Sequence, residues 1–225
     1  MRTRVAALAA LALAVAAAPA PAQPANGWWT QRLTYGAGPM FVENLWCKGP
    51  RMRAEFVFEG HPIVTLVDER RYVIFDGVTR TGVAIARSPA AIALDAKRAR
   101  PFGREADDLI AEGAEKVGSE VRAGQDVDHY RLTKPGGDQR EVWASADTFK
   151  LPAEWRSFDR GTGRESRVVY LRWVQQSFPD AMFQPEPGVK LEEIGYDDYV
   201  ARSRQGPVGP APPLFAELLH GPPQQ

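Results

Sequence analysis

One stretch, Glu43 to Gly60 (ENLWCKGPRMRAEFVFEG), constrains the fold more than any other part of the chain. Apolar side chains occupy every second position of its latter half, at Met52, Ala54, Phe56 and Phe58. Alternation with a period of two is typical of a β-strand whose sheet has one apolar and one solvated face. The stretch therefore predicts a hairpin, with its turn at Lys48-Gly49-Pro50, in a sheet whose apolar face needs a cover.

Similar short strand patterns, separated by turn residues, continue on both sides of this hairpin. Six strands are predicted between residues 28 and 86, where the connections are too short for crossovers, and five between residues 115 and 176, and the sheet is predicted to be antiparallel throughout. Two helices are predicted between the sixth and seventh strands, at residues 90–99 and 104–114. The first of these begins at Ser88-Pro89, a capping residue followed by a proline that is tolerated at the first helical position.

The first 22 residues have the pattern of a secretory signal peptide. A short basic segment with Arg2 and Arg4 precedes an apolar run from Val5 to Ala18, and the small residues of Ala20-Pro21-Ala22 favour cleavage after Ala22. The alternative is a membrane anchor, but a span needs roughly 20 apolar residues and this run is shorter. The leader predicts export, and we expect the mature protein in the periplasm.

Composition excludes several classes of protein. The formal net charge is zero, which gives no reason to expect nucleic acid or an anionic membrane as the partner. The single cysteine, Cys47, cannot form an intramolecular disulfide, and in a strand pattern it is expected to be a small buried hydrophobe. We expect a monomer.

The residues predict no catalytic centre. The three histidines, His61, His129 and His220, lack the spacing of a metal pair, and serines lack the context of a nucleophile. Adjacent carboxylates such as Asp107-Asp108 would lie on different sides of a helix. We therefore expect no enzyme activity, no metal and no cofactor.

Aromatic residues are spread over the predicted strands, and their role has two interpretations. They fill an ordinary core between sheet and helices, which the residues alone favour. Alternatively, because two short helices are little material to cover eleven strands, the apolar face remains partly open as a cavity for an apolar ligand.

The C-terminal part has a different composition. Residues 192–203 are predicted to be helical, residues 205–213 are rich in proline and glycine and indicate an extended linker, and residues 215–219 could form one helical turn. We expect the chain beyond Gly206 to be mobile.

Two motifs resemble the periplasmic lipoprotein-carrier superfamily, the LolA/LolB-like proteins. The segment 44–50 (NLWCKGP) is similar to the hairpin of that superfamily, and segment 183–190 (FQPEPGVK) is similar to its closing segment. The segments around Gly113–Glu120, Val142-Trp143 and Leu151-Pro152 resemble the outer-membrane lipoprotein-sorting branch. The resemblance covers about residues 28–190.

The resemblance implies a mainly β (α+β) fold, an incomplete antiparallel barrel of about eleven strands with a short helical lid. It implies an apolar cavity that binds acyl chains, lipid or a lipoprotein, with a role in envelope lipoprotein sorting. The candidate ligand-binding residues are Trp46, Met52, Phe56, Phe58, Leu109, Ile110, Trp143 and Tyr170.

The predicted organisation is a signal peptide (1–22), a half-barrel domain (23–190) and a helical and proline-rich C-terminal extension (191–225). The alternative function is a sensor or adaptor, in which the sheet edge or the C-terminal extension engages an envelope protein partner.

Overall fold

The computed structural model describes residues 26–222, and the predicted signal peptide lies outside them. The described residues contain one sheet of twelve strands that is not closed into a barrel. In sheet order the strands run β12-β6-β5-β4-β3-β2-β1-β11-β10-β9-β8-β7. The mainly β half-barrel with a short helical insertion is confirmed.

The bounds of the strands follow the predicted segments closely. They are β1 (Gly27–Gly36), β2 (Phe41–Lys48), β3 (Arg51–Phe58), β4 (His61–Val67), β5 (Arg71–Asp76), β6 (Thr81–Ala86), β7 (Glu115–Arg122), β8 (Gln125–Thr133), β9 (Gln139–Ser145), β10 (Pro152–Asp159), β11 (Arg164–Gln176) and β12 (Lys190–Ile194). The helices are α1 (Pro89–Asp95), α2 (Glu105–Ala111), α3 (Tyr196–Ser203) and α4 (Glu217–His220), with a 3-10 helix at Asp180–Phe183.

The twelfth strand corrects two predictions. Residues 190–194 pair with β6 in parallel, so the sheet is not antiparallel throughout, and the predicted helix at 192–203 begins only at Tyr196. A parallel pair needs a long connection, which the 103 residues between Ala86 and Lys190 supply. Five residues of mixed polarity are too few for periodicity to separate a strand from the start of a helix.

The strand register defines two faces of the sheet. One row of directly paired residues runs Cys47, Met52, Val67, Tyr72 and Ile85, and all five are buried. We call the side that carries this row the inner face. The neighbouring row runs Trp46, Arg53, Leu66, Val73 and Ala84 and lies on the opposite side, the outer face.

The outer face of the first half of the sheet is covered by the segment between β11 and β12. Lys48 Nζ donates to the carbonyl oxygen of Phe178 at 3.0 Å, and Arg53 donates to Glu186 at 2.7 Å. Val189 and Leu191 pack on the buried outer-face residues Val64, Leu66, Val73, Phe75 and Ala84. The segment 183–190, which resembles the closing segment of the carrier superfamily, therefore lies against the outer face of β3 to β6.

The inner face has two separate covers. Helix α2 packs over β8, β9 and β10, where Ala106 and Leu109 contact Val142 and Ala144. The inner face of β2 to β6 is covered instead by α3, α4 and the chain between them. No helix within residues 26–222 is long and apolar enough to cross a membrane.

Candidate functional site

The inner face of the first half of the sheet is the surface for which the sequence predicted a ligand. Its residues form one apolar cluster, which includes Leu45, Met52, Phe56, Ile63, Ile74, Val83 and Ile85. Cys47 belongs to the same cluster, is 1% exposed, and burial raises the pKa of its thiol to about 11. The prediction that Cys47 is a small buried hydrophobe is confirmed.

The C-terminal segment, residues 205–221, occupies this surface. We call it the C-terminal strap. Its buried side chains Val208, Ala211, Leu218 and Leu219 belong to the same apolar cluster as the strands, and Leu214 and Phe215 pack against it. The expectation of a mobile tail beyond Gly206 is therefore wrong. The strap fills the space in which the sequence placed a ligand.

Glycines let the strap lie close to the sheet and to α1. Gly209 has a φ of +87°, and a Cβ at this position would lie 2.8 Å from Val83 Cγ2. Gly221, with a φ of +88°, passes α1 so closely that a Cβ would lie 2.7 Å from that of Ala90. Both positions need glycine for close packing, which a linker would not require.

Three residues of the sheet side hold the strap by hydrogen bonds. The hydroxyl of Tyr72 donates to the carbonyl oxygen of Leu214. Arg87 Nε donates to the carbonyl oxygen of Leu218 at 2.5 Å. The backbone amide of Ser88 donates to the carbonyl oxygen of Leu219 at 3.0 Å, and its hydroxyl donates to the carbonyl oxygen of His220 at 2.9 Å. All four acceptors are backbone carbonyls of the strap.

Phe215 combines strain with a charged contact. Its φ of +53° is an outlier for a bulky residue, and such conformations persist only where the surroundings enforce them. The ring lies over the guanidinium of Arg32, whose Cζ is 4.3 Å from the ring centroid, and 6.2 Å from the ring of Phe102. The strap therefore carries a strained aromatic residue against a buried cation.

A polar cluster lies under Phe215 on the inner face. Arg32 forms a two-point ion pair with Glu43, whose side chain is 2% exposed. The distance from Arg32 Nη2 to Glu43 Oε1 is 3.0 Å. Tyr170 donates to Glu105 of α2, and burial together with this carboxylate raises the pKa of the Tyr170 hydroxyl well above its usual value. The charges of Arg32 and Glu43 are paired with each other, whereas Glu105 contacts only the neutral Tyr170 hydroxyl and its Oε2 is buried without a hydrogen bond among residues 26–222.

An aromatic groove of about 590 Å³ adjoins the covered surface. Trp28, Trp173, Phe149 and Leu151 line it together with polar residues at the start of β8, the end of β9 and the β9–β10 connection. Trp173 also stacks on Phe102, with ring centroids 6.0 Å apart, and Phe102 contacts Phe215 of the strap. The groove is thus continuous with the strap through a row of aromatic rings.

The structure brings together only some of the predicted ligand residues. Met52 and Phe56 are buried on the inner face, and the partly buried Phe58 packs against the same apolar cluster. Leu109 is a buried residue of α2, with Ile110 half-buried next to it, and α2 lies over the other half of the sheet. Tyr170 lies on the inner face but belongs to the polar cluster.

Two predicted residues lie on the outer face instead. Trp46 pairs with Arg53 rather than with the Met52 row, so its side chain points away from the inner face. Trp143 stacks on His129, with ring centroids 4.1 Å apart. The guanidinium of Arg122 lies over the same indole ring, with its Cζ 4.0 Å from the centroid. The sequence analysis placed both residues in an inner cavity, and the strand register corrects this, because adjacent positions of a strand face opposite sides of the sheet.

The sequence analysis missed the strap and its partners. Leu218 and Leu219 are fully buried, as is Tyr72, and none was predicted to be part of the site. The signal was present in the apolar residues of PLFAELLH, which follow the proline-rich stretch and are too apolar for a solvated tail.

The charge of Glu217 should make the strap sensitive to pH. Burial raises the pKa of its carboxyl above the usual 4.5, Arg98 and Arg32 oppose this rise, and Glu105 adds to it. We call the arrangement in which the strap covers the inner face the closed state. Because the closed state binds the Glu217 proton more tightly than a state with the strap released, it gains stability below pH 4.5 and loses it as pH rises through the raised pKa. We expect binding of the uncharged dye Nile red to increase as pH is raised from about 4 to about 7. Glu217→Gln should abolish this increase and leave the opposite trend of His220, whose pKa burial lowers, and an unchanged increase would contradict the role of Glu217.

Among residues 26–222, no group of three or more histidine, cysteine and acidic side chains is placed to hold a metal ion. No protein-family model and no curated protein sequence matches the chain.

Several solved structures resemble the chain at low sequence identity. An uncharacterised conserved protein from Thermus thermophilus matches with a TM-score of 0.52 and 8% identity, over 76% of this chain and 91% of that one. MucB, solved alone, has a TM-score of 0.46 and 14% identity over 73% of this chain. It has also been solved in complex with MucA from Pseudomonas aeruginosa. The lipoprotein LppX of Mycobacterium tuberculosis has a TM-score of 0.39 and 8% identity, over 70% of this chain and 91% of that one.

At these identities the similarity concerns the fold alone. The chain spans 59% of the length of the MucB chain that was solved alone. The incomplete barrel that the sequence predicted is confirmed as an architecture, and its membership of the lipoprotein-carrier superfamily stays a prediction of the sequence motifs.

Proposed function

We propose that this chain is an exported, non-enzymatic binding protein of the bacterial envelope that takes up an acyl chain, lipid or lipoprotein on its inner face. The observation that carries the proposal is the strap. An apolar sheet face is covered by a segment that has little regular structure, a strained aromatic residue and few hydrogen bonds to the strands. Such a cover can exchange with a ligand of similar apolar character.

The exchange is energetically balanced. Burial of an acyl chain contributes about 0.8 kcal/mol per methylene group, and each fully buried leucine that leaves forfeits about 1.5–3 kcal/mol. Leu218 and Leu219 are both fully buried in the closed state. A ligand with one or two long chains therefore has enough apolar surface to replace the strap, whereas a short one does not.

The aromatic groove offers a place where exchange can begin. Trp28 and Trp173 line the groove and also pack against the inner-face cluster. A chain that enters there meets Phe102 and then Phe215, the strained residue of the strap. Movement of Phe215 would relieve backbone strain of about 1–3 kcal/mol.

Native mass spectrometry of the exported, gently purified protein tests the proposal. We expect a population with added mass in the range of a lipid or fatty acid, and uptake of a fluorescent fatty acid with a long chain. A matched probe with a short, butyryl-length chain should not bind, because it cannot replace the apolar surface of the strap. A clean mass of the protein alone, together with no uptake of the long-chain probe, would exclude a ligand-binding role.

The adaptor is the second candidate, and the free edge of the sheet favours it. Strand β7 pairs with β8 on one side only, and seven of its eight residues are exposed. An extended peptide could add to this edge by backbone hydrogen bonds. In the same mass spectra, a bound protein without bound lipid would favour the adaptor over the carrier.

A further inference from the structure

The aromatic groove beside the strap combines two kinds of side chain that an acyl chain does not require together. Trp28, Trp173 and Phe149 supply aromatic rings, and the carboxylates of Asp126 and Asp147 belong to residues that line the same groove. A hydrocarbon gives a carboxylate no partner and removes water from it, which opposes binding. Aromatic rings are the usual recognition device for quaternary ammonium groups, and carboxylates add the complementary charge.

The rings of the groove form a corner. The rings of Trp28 and Phe149 are 5.2 Å apart at an interplanar angle of 67°, and those of Trp28 and Trp173 are 6.3 Å apart at 82°. The indole nitrogen of Trp173 donates to the carbonyl oxygen of Pro152 at 2.8 Å, which fixes that ring. Rings at steep angles contact a rounded trimethylammonium group from more than one side, whereas a parallel stack would suit a flat ligand.

Phe149 is held in place although its side chain is 45% exposed. Asp147 Oδ1 accepts from the amides of Phe149 and Lys150 at 2.9 and 3.2 Å, and Arg100 Nη2 donates to the carbonyl oxygen of Phe149 at 2.8 Å. Lys150 has a φ of +46°, which is unusual for a residue other than glycine. The backbone therefore fixes an exposed aromatic ring at the groove.

The two carboxylates retain acceptor capacity for a ligand. Asp147 uses Oδ1 for all three of its hydrogen bonds, which come from the Ser145 hydroxyl and from the amides of Phe149 and Lys150. Asp126 is exposed, and its side chain belongs to none of the ion pairs among residues 26–222. Its backbone oxygen accepts from the amide of Ala146 at 3.1 Å, which ties the two carboxylate-bearing segments together.

Two positive charges lie near the groove but do not line it. Arg100 is 7% exposed, and Nη2 donates to the carbonyl oxygens of Gly103 and Phe149 at 2.7 and 2.8 Å. Lys150 Nζ lies 3.7 Å from a carboxylate oxygen of Asp107. Both cations oppose a bound cation, but each is engaged elsewhere and lies outside the lining, whereas both charged residues of the lining are acidic. The groove itself is therefore complementary to a positive charge.

We propose that the aromatic groove is a second binding site, which takes an alkylated ammonium group between its rings and its two carboxylates. The site is separate from the inner face that the strap covers, and the inference does not depend on an acyl ligand there. An alkylated ammonium is favoured over a primary one because its methyl groups contact the rings and its charge is less strongly hydrated.

The test uses choline and two matched small molecules with the full chain. Dimethylbutanol, in which carbon replaces the nitrogen of choline, keeps the shape and removes the charge. Ethanolamine keeps the charge and removes the methyl groups. We expect choline to bind at least about five-fold more tightly than either in calorimetric titration. In ligand-observed NMR, the choline methyl signal should move upfield on binding, because the ring currents of the groove act on it.

Two variants assign the site to residues. Phe149→Leu keeps an apolar side chain without a ring, and Asp126→Asn removes one charge at constant volume. Each should weaken choline binding several-fold, and the first should also reduce the upfield shift. Both positions are exposed, and circular dichroism confirms that the variants fold. Phe158→Leu is the control, because Phe158 is 39% exposed and does not line the groove, and it should bind choline like the wild-type chain.

Vesicles distinguish two sources of the ammonium group. Binding to phosphatidylcholine vesicles that free choline reverses, without binding to phosphatidylglycerol vesicles, would support the site and assign it to a lipid headgroup. Binding of choline without binding to either vesicle would support the site and assign it to a free small molecule.

The remaining outcomes contradict the proposal. Equal binding of choline and dimethylbutanol would show that charge has no part, and equal binding of choline and ethanolamine would show that the rings have none. An unchanged affinity in both groove variants would place the cation elsewhere. No binding of choline, with the long-chain fatty acid still bound, would overturn this inference and leave the proposed function intact.

Discussion

Replacement of Glu43 by alanine is expected to lower the free energy of unfolding by about 3–5 kcal/mol. Glu43 is the ion-pair partner of Arg32 on the inner face, and its side chain is 2% exposed. Without it the guanidinium remains buried beneath Phe215 with no paired carboxylate at two of its nitrogens. Urea titration followed by circular dichroism measures the loss.

Two controls make this prediction specific. Asp180 pairs with Lys48 and Arg51, but its side chain is 63% exposed, so Asp180→Ala should cost no more than about 1 kcal/mol. The double variant Arg32→Met, Glu43→Leu removes both charges and should recover most of the lost stability. If Glu43→Ala were as mild as Asp180→Ala, the buried pair would not contribute to the stability of the fold.

The sequence predicted the sheet well because its signal is local. In β3 the alternation of Met52, Ala54 and Phe56 with polar residues is the alternation of buried and half-buried side chains in the structure. The hairpin turn and the start of α1 at Ser88 also follow from local chemistry, since Ser88 Oγ accepts from the amide of Ala91 at 3.0 Å. Eleven of the twelve strands were predictable in this way.

The cover of the sheet was not predictable in the same way because it depends on contacts between distant residues. Tyr72 and Leu214 are 142 positions apart, and nothing in the local sequence relates them. Gly209 and its neighbouring prolines indicate a linker by composition, yet Gly209 is needed where the strap passes Val83. A glycine for flexibility and a glycine for close packing are the same residue in the sequence.

The candidate site shows the same limit. The inner face was predicted correctly for Met52 and Phe56, but assigning Trp46 to it neglected the register, which places Trp46 opposite Arg53. Aromatic character suggested ligand contact for Trp143, whereas the structure pairs its ring with His129 and Arg122 on the outer face. Residue type alone does not determine which face of a sheet a side chain occupies.

Leu218→Ala is expected to tighten binding of the long-chain fatty acid by at least about ten-fold. Leu218 is 0% exposed, and removal of a fully buried leucine side chain costs about 2–5 kcal/mol, here borne by the closed state of the strap. When a binding-competent state is only partly populated, a change that favours it raises the apparent affinity until that state dominates. Fluorescence titration of the full chain measures the effect.

The matched control is Leu66→Ala. Leu66 is 2% exposed and lies on the outer face, in the cluster covered by Val189 and Leu191. The same deletion there should reduce the free energy of unfolding by a similar amount without tightening binding, since it does not touch the strap. Weaker binding by Leu218→Ala would mean that Leu218 forms part of the ligand site. Equal tightening by both variants would mean that general destabilisation, and not release of the strap, opens the inner face.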